Sequence, residues 1–217
     1  MPTAAMRRTR PTRQTLADLL DRLGNVPLDR VRMDPPPGTA TEKDVIDRRL
    51  CELVHGTLVE KTMGTKEAML AGYILHLFWA YVDSNDIGLP VGADGAFRLK
   101  FGLIRIPDVA FISWARLPEG QLPAEPIANR VPELAVEVLS SSNTAKEIAL
   151  KLDESFNCGV KVVWIIDPPT QTAEEYTSRT KSKHLTKSQA LDGRDVLPGF
   201  RLPLKKLFAR VKRGKSR

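Results

Sequence analysis

Histidine and cysteine, two of the commonest protein metal ligands, are scarce in this chain. His55, His76 and His184 stand far apart, and none has the spacing of a zinc site. Cys51 and Cys158 are the only cysteines, which excludes a disulfide-framework fold; free thiols in a reducing cytoplasm are the expectation. No run approaches the roughly 18 consecutive apolar residues of a membrane span. The longest candidate, residues 69–82, is short and contains His76. Arg7, Arg8, Arg10 and Arg13 are not followed by the apolar core of a signal peptide. No internal repeat is present. A cytoplasmic protein without a membrane partner is therefore expected.

What is present suits one domain with a buried core. The 217 residues are 42% hydrophobic and 27% charged. The net charge of +7 is unevenly placed. Residues 1–13 carry four arginines and residues 205–217 seven basic residues, neither with an acid; the remainder holds 22 bases against 26 acids. Basic ends of this kind attract polyanions such as nucleic acid without reading sequence, and they also serve as solvated tails.

Local patterns predict the organisation. Leu16, Leu19, Leu20 and Leu23 recur at helical spacing ahead of Gly24. The stretch from Met33 to Thr41, with three prolines and Gly38, reads as a linker. Residues 1–41 are thus expected to form an appendage: a basic tail, a short helix and a Pro-rich linker. Residues 50–61 read as a β-hairpin turning at His55-Gly56. A long helix opens at Thr65, because Ala68, Leu70, Ala71, Ile74, Leu75, Phe78 and Val82 recur at intervals of three and four. Residues 86–95 read as a loop. Strands are expected near 96–100 and 104–113. After Pro132 comes a mostly apolar strand, then a helix from about Thr144 to Asn157 with Thr144 and Glu147 as a capping box, and a buried strand over 160–166. A strand–helix–strand of this length joins parallel strands. Weak strand signals follow over 176–208.

Three residues in this frame carry chemistry. Glu137 lies within the apolar strand, where a carboxylate costs free energy unless it is paired. Asp108 follows Pro107 at the start of another strand. Lys151 stands fourteen residues after Glu137, on the helix, where a long stem reaches back toward a strand end. Two carboxylates and an ammonium at a strand end suit Mg²⁺ or Mn²⁺, which take oxygen ligands, polarise a phosphate and activate water. Taken singly, each residue has a plainer reading. Asp108 could end a turn, Glu137 could pair with an arginine, and Lys151 could be a surface lysine bridged to Glu147 or Glu154.

The segments 105–112, 132–140, Asn143-Thr144, Lys151 and 159–168, in this order and spacing, resemble the Uma-two family of restriction endonucleases, part of the PD-(D/E)xK nuclease superfamily. The hairpin 52–60 and the ending Leu191-Asp-Gly through Leu197-Pro-Gly-Phe200 extend the resemblance over about residues 45–208. It implies an α/β restriction-endonuclease-like core, a mixed central sheet flanked by helices with an added N-terminal hairpin, over residues 42–208. It also implies an Mg²⁺- or Mn²⁺-dependent endodeoxyribonuclease in which Asp108 and Glu137 hold the metal and Lys151 completes the catalytic set. Glu67 falls where the family carries a helix-borne histidine and is similar to an accessory glutamate; Glu52 in the hairpin is a second accessory candidate. Residues 209–217 remain a basic tail. The expected partner is nucleic acid, DNA foremost, with a homodimer left open. The alternative is a nuclease-derived module that binds nucleic acid or a partner without cutting.

Overall fold

The computed structural model describes residues 15–209, except 49, 118, 119, 122 and 123. The basic residues at 7–13 and 210–217 lie outside the described residues. Along the chain run α1 (Leu16–Arg22), α2 (Glu42–Asp47), β1 (Cys51–Val54), β2 (Thr57–Glu60) and α3 (Thr65–Asn85). There follow β3 (Gly88–Val91), β4 (Ala96–Lys100), β5 (Leu103–Arg105), β6 (Val109–Ser113), β7 (Ile127–Ala128), β8 (Leu134–Val138) and α4 (Ala145–Asn157). The chain continues through β9 (Val162–Asp167), β10 (Thr172–Ser178), β11 (Lys181–Leu185), β12 (Ala190–Asp192), β13 (Arg201–Pro203) and α5 (Leu204–Ala209).

The strands form a mixed six-stranded sheet, ordered β11-β10-β9-β8-β6-β3, and a five-stranded one, ordered β2-β1-β5-β4-β7; β12 and β13 pair separately. In the larger sheet β8 and β9 run parallel across the α4 crossover, as their spacing predicts. Helices cover both of its faces. Leu70, Ile74, Phe78 and Val82 of α3 pack with Val109, Phe111, Val136 and Trp164. On the opposite face Leu152 of α4 meets Ala135, Val163 and Ile165. The alternation of β8 is the cause: Leu134, Val136 and Val138 face α3, whereas Ala135 and Glu137 face α4.

Several expectations change. The strand expected over 104–113 is two strands in two sheets. Pro107 has no N–H to give to a ladder, and the chain crosses from β5 to β6 at residues 106–108. The loop expected over 86–95 contains β3, an edge strand that tolerates Pro90. The 51–60 hairpin is not appended to a single central sheet; it forms one side of the five-stranded sheet.

Residues 15–41 are also packed, whereas an appendage was expected. Leu19, Leu23, Val26 and Val31 are buried with Val54, Val59, Phe97 and Leu103. The proline-rich stretch turns back on the hairpin, where Gly38 and Ala40 amides each donate to the Gly56 carbonyl at 2.8 Å. Gly56 has φ +68°, and a Cβ there would lie 2.7 Å from the Gly38 backbone, so only glycine allows this approach. Arg30 is buried and forms a fork on Glu147, with Nη1–Oε2 3.0 Å and Nη2–Oε1 2.8 Å. That contact also alters the expected capping box. The Thr144 hydroxyl accepts from the Glu147 amide at 3.0 Å, but the Glu147 carboxylate is turned to Arg30 and Asn143. Among the described residues no helix is long and apolar enough to cross a membrane, and both cysteines are free.

Candidate active site

The crossing between the two sheets is where charge collects. Asp108, 4% exposed, begins the approach to β6. Its amide donates to the Val136 carbonyl at 2.9 Å, and its Oδ2 accepts from the Val138 amide at 2.6 Å. These two bonds fasten it beside β8 on either side of Glu137. The Glu137 side chain keeps 13% exposure, and its Oε2 lies 3.2 Å from Lys151 Nζ. A cavity lined by Leu99, Pro107, Glu137, Lys151 and Ile165 reaches both groups.

Lys151 is not the surface lysine it resembles in isolation. It is buried on α4, and its ammonium also lies 3.3 Å from Glu52 Oε1. The two carboxylates that could have bridged it on the helix are engaged elsewhere, Glu147 with Arg30 and Glu154 with Arg105. Glu52, buried in β1, accepts from Arg105 Nη1 at 2.7 Å and from the Ile106 amide at 3.1 Å. Glu52 and Arg105 thus hold the chain crossing in place while Glu52 also holds Lys151.

Sequence reasoning passed over Lys61 and Arg105, and took Glu154 only as a partner for Lys151. Lys61 Nζ lies 2.8 Å from Asp108 Oδ1. Arg105 had a readable signal, since a charge between Ile104 and Ile106 needs a partner as Glu137 does. Lys61 had none, because it stands between Glu60 and Thr62. Glu67 is not part of the cluster. It lies in the first turn of α3, its carboxylate against Gly64, where a Cβ would sit 2.3 Å from Oε2. An acid there favours the helix N-terminus, and no hydrogen bond or ion pair joins it to the other four candidates.

The cluster contains Glu52, Asp108, Glu137 and Glu154 against Lys61, Arg105 and Lys151, one negative charge in excess when all are ionised. That excess is unevenly distributed. Burial alone would raise the Glu52 carboxyl, but Lys151, Arg105 and the Ile106 amide outweigh it and bring it down to about 2. For Glu137 burial dominates. Lys151 opposes the shift, the Asp108 charge adds to it, and the carboxyl rises to about 7. Burial disfavours a charged Lys151, yet Glu137 and Glu52 hold its ammonium above the ordinary lysine range.

A divalent cation would find few protein ligands here. Among the described residues no three His, Cys, Asp or Glu side chains form a metal-holding group, so the chain would offer the two oxygen donors Asp108 and Glu137. Mg²⁺ takes one or two carboxylates and keeps several waters. Burial and the Asp108 charge raise the Glu137 carboxyl, and a bound cation would oppose that shift.

Comparison with known proteins places this architecture. The model of the Uma2 family, described as "Putative restriction endonuclease", matches residues 47–205. The chain belongs to the Uma2 family. All four clustered candidates, Glu52, Asp108, Glu137 and Lys151, fall within the matched segment. A solved structure, described as a "putative nuclease belonging to DUF820 from Anabaena variabilis ATCC 29413", superposes with a TM-score of 0.64 at 19% identity. The alignment covers 73% of this chain and 89% of that one, which shows a shared fold. No curated protein matches. The Uma2 match spans both sheets, including the 51–60 hairpin that supplies Glu52.

Proposed function

We propose that this Uma2 chain is a PD-(D/E)xK-type endonuclease that hydrolyses phosphodiester bonds in DNA with Mg²⁺ or Mn²⁺ held by Asp108 and Glu137. One observation carries the reading. Two carboxylates fastened side by side at a sheet crossing share their surroundings with a buried lysine ammonium, in a chain of a nuclease family. The Glu137 carboxyl, raised to about 7 by burial and the nearby Asp108 charge, supports the same reading.

A bound Mg²⁺ or Mn²⁺ would polarise the scissile phosphate and lower the pKa of an attached water. Asp108 is oriented before any substrate arrives, because the Val138 amide fixes its Oδ2. Lys151 brings a permanent positive charge from α4, placed to stabilise negative charge growing on the phosphate oxygens. Glu52 restrains Lys151 through the ion pair at 3.3 Å, and Arg105 restrains Glu52 in turn. Burial raises the Glu137 carboxyl to about 7, so protons compete with the cation below that pH and cleavage should favour neutral to alkaline pH.

The test is incubation of supercoiled plasmid with purified protein in Mg²⁺, Mn²⁺ or chelator. Nicked and linear products with metal, and none with chelator, are expected. Retarded but intact DNA under all three conditions would replace this reading with a binding-only module.

A further inference from the structure

Lys61 has no part in the reaction as proposed, yet its ammonium sits directly against Asp108. Its side chain is 7% exposed and stands just past the end of β2. Its Nζ donates to the Ile106 carbonyl at 2.7 Å and the Ala93 carbonyl at 3.3 Å, and meets Asp108 Oδ1 at 2.8 Å. Two of its N–H donors thus have carbonyl acceptors, and Asp108 supplies the counter-charge. Both oxygens of Asp108 are then engaged, Oδ2 by the Val138 amide and Oδ1 by Lys61. A divalent cation approaching Asp108 meets a fixed positive charge on the oxygen it needs, in a buried place where water screens little.

We infer that Lys61 is a lock on the metal site, and this rests on the metal-dependent reading above. The Lys61 ammonium occupies the Oδ1 side of Asp108. A metal ion displaces it from the carboxylate, but the carbonyls of Ile106 and Ala93 still hold it beside the site. It then lacks its counter-charge, and a non-bridging oxygen of the bound phosphodiester is the anion that restores one. Substrate thereby removes the competitor of the metal, and metal frees a donor for the substrate. The two bind cooperatively, each tightening the other by the same factor.

The test reads metal affinity and not cleavage. Free Mn²⁺ is followed by electron paramagnetic resonance during titration of wild type and Lys61→Gln. Each is measured alone and with a phosphorothioate-linked DNA duplex, which resists hydrolysis. The glutamine keeps donors for the two carbonyls and removes the charge. Wild type is expected to bind Mn²⁺ about tenfold more tightly with the duplex than without it. Lys61→Gln should bind Mn²⁺ about tenfold more tightly than wild type in the absence of DNA, with little further gain when DNA is added. Equal or weaker Mn²⁺ binding by folded Lys61→Gln, with normal binding by wild type, would overturn the lock and leave the metal-dependent reading intact. Absence of Mn²⁺ binding in both proteins, with and without duplex, would overturn both. A second measurement requires no variant: the slowly exchanging ¹⁵N-labelled ammonium of Lys61 in wild type should shift as Mg²⁺ saturates the protein. An unmoved signal at saturation would equally overturn the lock.

Discussion

Replacing Glu137 by glutamine should make the metal-free protein more stable, and only at neutral to alkaline pH. The Glu137 carboxyl rises from 4.5 to about 7 because burial penalises its charge and Asp108 adds to the penalty, despite Lys151. Between these values the folded chain holds a proton that the unfolded chain has lost, so stability falls as pH rises through this window. Above about pH 7 the full cost is present, on the order of 3 kcal/mol for a shift of this size. The 13% exposure left to the side chain makes that figure an upper bound. Glutamine is close to the protonated side chain in shape, and Lys151 keeps Glu52 at 3.3 Å as its counter-charge. Glu137→Gln and wild type should therefore unfold alike at about pH 5. At about pH 8 the variant should be more stable by about 2–3 kcal/mol, a rise in Tm of roughly 4–12 °C for a domain of this size. Urea denaturation in chelator across that range is the assay. Excess Mg²⁺ should then stabilise wild type and leave the variant nearly unchanged. A stability difference that does not vary with pH, or a variant less stable at pH 8, would show that Glu137 is a well-compensated structural carboxylate.

Lys151→Met should abolish metal-dependent plasmid cleavage while changing DNA affinity by less than about tenfold, because its charge acts mainly in the transition state; gel-shift and cleavage assays on the same protein check it. Asp108→Asn should destroy cleavage and lower stability by roughly 3–5 kcal/mol in denaturant melts, since the buried Lys61 ammonium loses its counter-charge. A chain lacking residues 209–217 loses five basic residues. The slope of log affinity against log salt for DNA should then shrink by up to roughly four, and an unchanged slope would assign that tail to solvation alone.

The sequence by itself determined the elements and most of the candidate set. Helical spacing over 65–82, the His55-Gly56 turn and the apolar strands around Glu137 and Trp164 are local signals, and each is expressed where it was read. Glu137 was legible because a carboxylate in an apolar strand requires an explanation. Asp108 and Lys151 were legible mainly through the order and spacing of the segments that resemble the Uma2 family. Tertiary structure decided what those charges meet. Sequence reasoning sets Asp108 and Glu137 beside one ammonium, Lys151, yet Lys61 is the cation on Asp108, and the Glu137 carboxyl stays raised despite Lys151. Lys61 lies 47 positions from Asp108, and Arg30 lies 117 from Glu147. No periodicity within one element encodes such separations. They arise because the chain changes sheets at Pro107 and folds residues 15–41 back over the hairpin. The same crossing brings Glu52, Lys61, Asp108, Glu137 and Lys151, from five separate segments, to one point, where burial and mutual charge raise the Glu137 carboxyl and hold that of Glu52 low.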